Sequence, residues 1–231
     1  MPIPQKTKVL LVDDHPLVRE WLAHLLNQQP DFQVCGEATN GPQAMKLIAK
    51  VEPNVAVVDI SLEGGCSGIE LIKSIRAIHP EVVTVVLSMH DESLYAERVL
   101  RAGARGYVMK TEATKKIIPA IRHVMEGKLY VSDRFMAAMA ERLVERNAAG
   151  TSRVAQLSDR EMEVFEMIGQ GVETRQIAEA MHVSFKTIQS FSARIKEKLM
   201  LANATELVRE AVLWQVANGG KTEKTRKAGS C

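Results

Sequence analysis

Five polar side chains stand directly after, or at the end of, short apolar segments of the chain: Asp13, Asp14, Asp59, Ser88 and Lys110. Carboxylate oxygens are the ligands that hard divalent cations prefer in proteins. If these residues lie together, they are expected to form a binding site for such a cation.

Five apolar segments have the length and composition of strands, and each lies between segments with helical spacing of apolar residues. The strand-like segments are VLLV (9–12), FQVCGEA (32–38), NVAVVDI (54–60), VVTVVLS (82–88) and RGYVM (105–109). Runs of Val and Leu are typical of strands covered on both faces, and their alternation with helices is typical of a parallel α/β sheet. Ligands of such sheets bind at the carboxyl ends of the strands, where the five polar residues would converge.

Three carboxylates at one sheet edge repel one another unless a cation lies between them. At a separation of about 4 Å and an effective dielectric constant near 20, each pair costs on the order of 4 kcal/mol. Mg²⁺ or Mn²⁺ suits such hard oxygen ligands. For any single residue, a solvated acidic rim with Lys110 as a surface ion-pair partner is the simpler interpretation, and only the complete set favours a metal site.

The segments LLVDDHPLVRE, VVDISL, SGIELIKSIR and RAGARGYVMK resemble the receiver domain of bacterial two-component response regulators of the NarL/FixJ group. The resemblance covers residues 6–127 and implies an α/β receiver with a five-stranded, parallel, doubly wound sheet of the flavodoxin/CheY type. It implies that a sensor histidine kinase phosphorylates Asp59 in the presence of Mg²⁺ or Mn²⁺. The implied metal ligands are Asp13, Asp14, Asp59 and the backbone carbonyl of Ser61. The implied partners of the phosphoryl group are Lys110 and Ser88, with Tyr107 as the aromatic switch residue that moves inward as Ser88 swings.

One loop departs from the family pattern. DISLEGGCSGIEL lacks the proline that the family usually carries after DxxL or DxxM, and it is one residue longer before SGIEL. Gly64 and Gly65 make the loop flexible, so metal geometry or phosphoryl lifetime is expected to differ from the family norm. Cys66 lies in the same loop and is interpreted as an incidental thiol, because three scattered cysteines form neither a disulfide framework nor a zinc site.

The pattern changes after the fifth strand-like segment, beyond which no further strand is predicted. The segment 128–156 is interpreted as a helical linker, with a helix over 132–147 that begins at the capping residue Ser132. The apolar face of this helix must pack on another surface. Residues 157–217 have helical character throughout and predict an all-α domain of four helices. Residues 218–231 form a basic tail that is expected to be disordered.

The stretch LSDREMEVFEMIGQGVETRQIAEAMHVSFKTIQSFSARIKEKLML ends in two helices joined by a tight turn, and the second is longer. Ser158 with Glu161 predicts a capping box that opens the preceding helix, and Thr174 and Ser184 are the expected caps of the helix pair. The long helix places an excess of basic residues on its outer side, which suits a helix in the major groove. A small helical bundle with a solvated basic face is the competing interpretation.

This stretch resembles the LuxR-type helix-turn-helix of the same group over residues 157–217. By that resemblance, the residues at or near double-stranded promoter DNA are Lys186, Thr187, Gln189, Ser190, Ala193, Arg194 and Lys196. The segment 157–215 has seven basic and nine acidic residues, so a monomer is expected to bind DNA weakly. A homodimer formed on phosphorylation, or the basic tail, would compensate. The resemblance implies a dimer surface on the first and fifth helices of the receiver or on the last helix, about 205–216.

The sequence therefore predicts a phosphorylation-regulated, DNA-binding transcriptional regulator rather than an enzyme, with at most slow autodephosphorylation at Asp59. Two alternatives stay open: a DNA-binding regulator whose atypical receiver works without phosphorylation, and a metal-dependent aspartyl-phosphate phosphohydrolase. The phosphohydrolase is disfavoured because the first strand ends in DD rather than DxD and no substrate cap is found. The sequence has neither a signal peptide nor an apolar run of about twenty residues, so a cytoplasmic protein without a membrane partner is expected.

Overall fold

The five strand-like segments form one parallel sheet, which confirms the predicted fold class. In the computed structural model the strands are β1 (Thr7–Val12), β2 (Phe32–Ala38), β3 (Val55–Val58), β4 (Val83–Ser88) and β5 (Gly106–Met109). The sheet order is β2-β1-β3-β4-β5, and every neighbouring pair is parallel. The order changes direction between β1 and β3, which is the doubly wound arrangement and leaves a crevice at the carboxyl ends of these strands.

The structure describes residues 6–62, 67–145 and 153–219. The chain divides into two compact units, Met1–Ala148 and Ala149–Cys231. The EGGC loop at 63–66 and residues 220–231 of the predicted tail lie outside the described residues, so the expectations for them stay predictions. Residues 218 and 219, the first two of that predicted tail, are not disordered but end the last described helix, which stops at Gly219. Within the described ranges, no helix is long and apolar enough to cross a membrane.

Five helices cover the two faces of the sheet. They are α1 (Pro16–Asn27), α2 (Gly41–Val51), α3 (Gly68–Ile78), α4 (Glu92–Ala102) and α5 (Ala113–Met125). Side chains alternate between the two faces along each strand. Leu10 and Val12 of β1 therefore pack in one core cluster, and Val9 and Leu11 pack in the other. Because both faces are buried, the strands stay in register, and the polar residues that follow them meet at one edge.

Residues 128–132, which follow α5, run beside β5, and we call this segment the strap. The Tyr130 N–H donates to the Arg105 carbonyl at 2.9 Å, and the Tyr107 N–H donates to the Tyr130 carbonyl at 2.8 Å. A Cβ at Gly106 would lie 3.2 Å from the Val124 Cγ1 atom but at an ordinary contact distance of 3.4 Å from the Tyr130 Cβ, so the approach of the strap does not depend on glycine. The strap therefore adds backbone pairing at the β5 edge of the sheet, which the sequence analysis did not predict.

The linker helix, α6 (Asp133–Glu145), follows the strap. The Ser132 hydroxyl accepts a hydrogen bond from the Phe135 N–H at 3.1 Å, which confirms the predicted cap. The Phe135 side chain is 5% exposed and belongs to the core cluster that contains Tyr107, with Met139 packed against it. The apolar face of α6 therefore packs against the core of the α/β domain, beside α4.

Over residues 153–219, the described part of the second unit, four helices follow a 3-10 turn at Arg153–Gln156. They are α7 (Asp159–Gly169), α8 (Thr174–Ala180), α9 (Phe185–Leu199) and α10 (Ala204–Gly219). Ile188, Ile195 and Leu199 of α9 are buried in one cluster with residues of the other three helices. This burial turns the opposite side of α9 outwards, as the sequence predicts.

The helix starts of the second unit follow the capping rules with one exception. Ser158 and Glu161 form the predicted capping box of α7, and Ser184 caps α9 as predicted. The prediction that Thr174 caps α8 is wrong. Glu173 is the N-cap residue and Thr174 is the first helical residue. The Glu173 N–H donates to the side-chain oxygen of Gln176 at 3.2 Å, which supports this helix start.

Candidate functional site

The carboxyl ends of β1, β3 and β5 bring three of the predicted site residues into direct contact. The Lys110 Nζ atom lies 2.6 Å from Oδ2 of Asp59 and 2.7 Å from Oδ2 of Asp13. None of the three side chains is more than 10% exposed, so these ion pairs lie in a poorly screened environment. Asp59 follows β3 directly and Lys110 follows β5, so the ends of the strands are sufficient to position the pair.

Asp14 and a residue that the sequence analysis did not single out, His15, complete an acidic cluster. One ligand atom from each of Asp13, Asp14, His15 and Asp59 lies within 4.8 Å of every other. The His15 Nδ1 atom lies 2.6 Å from Oδ1 of Asp14 and 3.1 Å from Oδ1 of Asp13. The three carboxylates are the ligands that Mg²⁺ prefers, so the donor set fits that ion. The imidazole is 64% exposed and suits Mg²⁺ less well than the carboxylates.

Burial raises the pKa of the Asp59 carboxyl above its ordinary value, because desolvation outweighs the opposing attraction of Lys110. The pKa of Lys110 is also raised: burial alone would lower it, but the adjacent Asp59 and Asp13 carboxylates have the larger effect. Lys110 therefore stays protonated at neutral pH. Additional positive charge near Asp59, such as a divalent cation, would favour the ionised carboxylate that a nucleophile requires.

The loop after β3 places the start of α3 against the backbone of Asp59. A Cβ at Gly68 would collide with the Asp59 carbonyl oxygen, so only glycine permits this approach. The Gly68 N–H donates to the Ile60 carbonyl at 2.8 Å, and the Ser61 N–H donates to Oδ1 of Asp59 at 3.3 Å. These contacts hold the Asp59 carboxylate in one orientation, although the sequence departure at 63–66 falls outside the described part of the loop.

Ser88 and Tyr107 lie in the interior and share one partner, His90. Ser88 is completely buried and Tyr107 is 2% exposed, so the tyrosine occupies the inward position. The Tyr107 phenol donates to the His90 carbonyl at 2.8 Å, and the His90 N–H donates to the Ser88 hydroxyl oxygen at 3.1 Å. Burial raises the pKa of Tyr107, so its phenol stays protonated as a donor. His90 was not predicted from the sequence, because its contacts depend on the path of the β4–α4 loop.

The outer face of α9 carries most of the residues that the sequence analysis placed near DNA. The exposed members of that set are Lys186, Gln189, Ser190, Ala193 and Arg194, whereas Thr187 and Lys196 are half-buried. Thr187 supports the start of the helix, because its N–H donates to the Ser184 hydroxyl oxygen at 3.1 Å. Phe185, the first residue of α9, is 45% exposed and was not among the predicted DNA-binding residues.

Lys198 contributes to the basic composition of α9 but is paired within the second unit. Its Nζ atom lies 2.6 Å from Oε2 of Glu161 and 3.3 Å from the Gln156 carbonyl oxygen. Burial alone would raise the pKa of Glu161, but Lys198 and the hydrogen bonds from Ser158 outweigh it and lower that pKa. Lys198 therefore connects α9 to the start of α7 and is not directed at a phosphate backbone.

Two family models match the chain in the order of its two units. The response regulator receiver domain matches residues 9–122, and the bacterial regulatory proteins of the luxR family match residues 155–211. The Oxygen regulatory protein NreC of Staphylococcus aureus is 32% identical over 209 residues, which cover 89% of this chain and 96% of that protein. The chain belongs to the two-component response regulators of the NarL/FixJ group.

Solved structures of other response regulators share the fold. A LuxR-family two-component response regulator from Aurantimonas sp. is 32% identical with a TM-score of 0.56, and the match covers 61% of this chain and 100% of that chain. RcsB of Salmonella enterica serovar Typhimurium, bound to promoter rprA in the presence of phosphomimetic BeF3-, is 26% identical with a TM-score of 0.57. That match covers 89% of this chain and 98% of the RcsB chain. The predicted family is confirmed, and its members are transcription regulators rather than enzymes.

Two helices of this response regulator expose apolar side chains where the resemblance implies dimer surfaces. On α10, Val208, Val212 and Val216 are 48%, 40% and 67% exposed, and they lie about one turn apart on one face. On α1, Leu17 is 79% exposed and Trp21 is 37% exposed. Both helices therefore present an apolar stripe that is not covered within the described chain.

Proposed function

We propose that a sensor histidine kinase phosphorylates Asp59 and that this phosphorylation controls promoter binding by the helix-turn-helix domain. The observation that carries the proposal is the buried contact of Lys110 with both Asp59 and Asp13, at 2.6 and 2.7 Å. A buried ion pair is weak evidence for stability alone. A carboxylate with a raised pKa, as at Asp59, together with a cation and a cleft at the strand ends is instead typical of a functional site.

Phosphorylation begins with the ionised Asp59 carboxylate. One of its oxygens forms a bond to phosphorus in the kinase phosphohistidine, while the phosphorus–nitrogen bond breaks and its electron pair leaves with the imidazole. Lys110 already donates a hydrogen bond to Oδ2 of Asp59, so its ammonium group is placed to neutralise the phosphoryl oxygens. Asp13, Asp14, Asp59 and the Ser61 carbonyl would hold Mg²⁺ or Mn²⁺, which when bound supplies Lewis-acid stabilisation of the same charge.

The phosphorylated state is reversed by slow hydrolysis. Water attacks phosphorus, the bond to the Asp59 oxygen breaks, and the free carboxylate and inorganic phosphate are regenerated. This is the only turnover that we propose for the chain, because each phosphoryl group is first transferred to Asp59 and only then released as inorganic phosphate.

The start of α4 and the strap together connect the surroundings of Asp59 to helix α6. Phosphorylation adds a charge of about −1.5 to −2 next to the loop that carries Ser88. Tyr107 joins that loop to the strap, because its phenol binds the loop and its N–H binds Tyr130. Glu92, the first residue of α4, accepts a hydrogen bond from the Ser132 N–H at 2.8 Å. A shift at the start of α4 would therefore move the residue at which α6 begins.

Phosphorylation is proposed to increase the affinity for DNA by promoting dimerisation through α10. The exposed stripe of Val208, Val212 and Val216 is apolar enough to pack on the same helix of a second copy. Each α9 exposes the basic residues Lys186 and Arg194, and a dimer would double this charge on the DNA. The separation of two such helices would set the half-site spacing. The promoter-bound structure of RcsB with a phosphomimetic supports this link by analogy.

The test compares wild type, Asp59→Asn and a matched control, Asp31→Asn, which changes an exposed aspartate of the same domain. Each protein is incubated with acetyl phosphate and Mg²⁺, and its intact mass is measured. Binding to DNA fragments selected by the wild type from a random pool is then measured by fluorescence anisotropy. We expect one phosphoryl group and tighter DNA binding in wild type and Asp31→Asn only.

Each part of the proposal has its own contrary result. A phosphoryl group on Asp59→Asn would place the acceptor elsewhere. A wild type that gains no phosphoryl group, from either acetyl phosphate or a histidine kinase, would refute phosphorylation. Equal DNA affinity of wild type with and without the phosphodonor would refute the control of promoter binding and favour a receiver that works without phosphorylation.

A further inference from the structure

His90 connects the loop that follows the phosphoacceptor to the two switch residues. Its Nε2 atom lies 2.9 Å from the hydroxyl oxygen of Ser61, which is the second residue after Asp59. Its backbone N–H donates to Ser88, and its carbonyl accepts the phenol of Tyr107. One residue of the β4–α4 loop therefore contacts three groups that surround the phosphorylation site.

The His90 ring is also held from its other side. It packs on the ring of Tyr95 in α4, with 4.5 Å between the ring centroids and an interplanar angle of 38°. Tyr95 is 1% exposed, so it provides a fixed surface. A ring held between a buried aromatic and a hydroxyl loses most of its rotamer freedom and can position Ser61. The contact with Ser61 joins residues 29 positions apart, so it is not a local turn interaction.

We propose that His90 is a positioning residue for phosphoryl transfer to Asp59. Through Ser61 it holds the loop that orients the Asp59 carboxylate, and through its backbone it couples that loop to Ser88 and Tyr107. The Ser61 N–H donates to Oδ1 of Asp59 at 3.3 Å, so displacement of Ser61 loosens the attacking group itself. This inference rests on the proposed phosphorylation of Asp59.

The affected step is the attack of Asp59 on a small phosphodonor. With acetyl phosphate, a bond forms between phosphorus and an Asp59 oxygen while the bond between phosphorus and acetate breaks, and acetate leaves with the electron pair. Phosphoryl transfer depends mainly on positioning, and a misplacement of about 1 Å can cost on the order of a hundredfold in rate. Loss of one hydrogen bond that holds the loop is therefore expected to slow phosphorylation by about tenfold.

The test measures the rate of phosphorylation of the full chain by acetyl phosphate at saturating Mg²⁺, from intact mass against time. The variants are His90→Ala, Ser61→Ala and the double substitution. Each single substitution is expected to slow the rate by about tenfold. The double variant is expected to be no slower than either single variant, because both substitutions remove the same hydrogen bond.

Two further variants separate positioning from a general structural role. His90→Gln places an amide nitrogen near the position of Nε2 and is expected to restore most of the wild-type rate. His90→Asn is too short to reach Ser61 and is expected to stay slow. Thermal unfolding of each variant identifies any that have lost the fold, and Ser61→Ala then tests the same hydrogen bond from its other end.

Equal rates for wild type and His90→Ala would overturn the positioning role. Additive effects of the His90 and Ser61 substitutions would also overturn it, because the two residues would then act independently. A rate for His90→Gln as low as that of His90→Ala would show that the hydrogen bond is not the cause. In all three cases the wild type is phosphorylated, so the proposed phosphorylation of Asp59 still holds. If the wild type itself gains no phosphoryl group, the proposed function is refuted, and the positioning role of His90 is refuted with it.

Discussion

Replacement of Phe135 by alanine is expected to release α6 from the receiver domain while the domain itself stays folded. The Phe135 side chain is 5% exposed and packs in the core cluster beside α4 and β5. Truncation of a buried phenylalanine costs about 3–5 kcal/mol. Because α6 lies at the margin of this core, we take the lower value, and about 3 kcal/mol corresponds to roughly a hundredfold change in the docking equilibrium.

Amide hydrogen exchange, measured by mass spectrometry, reports directly on this equilibrium. Exchange in α6 is expected to accelerate by about a hundredfold in Phe135→Ala, while the amides of β1 and β3 stay protected. Met136→Ala is the matched control, because Met136 is the next residue of the same helix but is 53% exposed. That control is expected to leave exchange in α6 within about threefold of wild type.

Two results would refute this reasoning. If α6 exchanges equally fast in Phe135→Ala and Met136→Ala, the buried ring does not hold the helix on the domain. If β1 and β3 lose protection together with α6, Phe135 supports the whole receiver fold and not the docking of one helix. In the expected case, DNA binding by Phe135→Ala should respond less to acetyl phosphate, since α6 no longer follows the start of α4.

Other perturbations test the ion pairs and the apolar stripe. Lys198→Met leaves the Glu161 carboxylate buried without its cation. It should therefore lower the free energy of unfolding of the DNA-binding domain, measured in urea, by about 1–3 kcal/mol. Lys186→Met, which replaces an exposed lysine, is the control and should leave this free energy nearly unchanged. Val212→Asp should prevent dimerisation of the phosphorylated protein in analytical ultracentrifugation without reducing its labelling, and an unchanged dimer would exclude this face of α10. Because burial raises the pKa of Asp59, acidification should protonate the nucleophile, and stop its labelling, at a higher pH than for an ordinary aspartate. Higher Mg²⁺ should move this loss to lower pH, since a cation favours the ionised form, and a pH profile that Mg²⁺ does not move would contradict the proposed metal site.

The contact between Asp59 and Lys110 was predictable because it depends on strand ends alone. Parallel strands place their carboxyl ends at one edge whatever path the connections take. The caps at Ser132 and Ser158 were predictable for a similar reason, since an N-cap depends on residues within one turn of helix. The periodicity of apolar residues and the spacing of capping residues within one helical turn can both be determined from the sequence alone.

The contacts that the sequence did not reveal depend on tertiary structure. His90 reaches Ser61 only because two loops approach each other in the folded domain. The strap, residues 128–132, is too short and too mixed in composition to be recognised as a pairing segment. Lys198 has the sequence character of a DNA contact, and only the packing of α9 on α7 shows that Glu161 neutralises it.

The strap also determines where the receiver ends as an independent folding unit. β5 is the last strand in the sheet order, and an uncovered edge strand is a template for pairing with other chains. The strap occupies this edge through the hydrogen bonds of Tyr130 with Arg105 and Tyr107. A receiver shortened to Gly127 would expose the edge and is expected to aggregate, whereas one that continues through Glu145 should stay soluble. We therefore expect the linker to protect the receiver against edge-to-edge aggregation in addition to joining it to the DNA-binding domain.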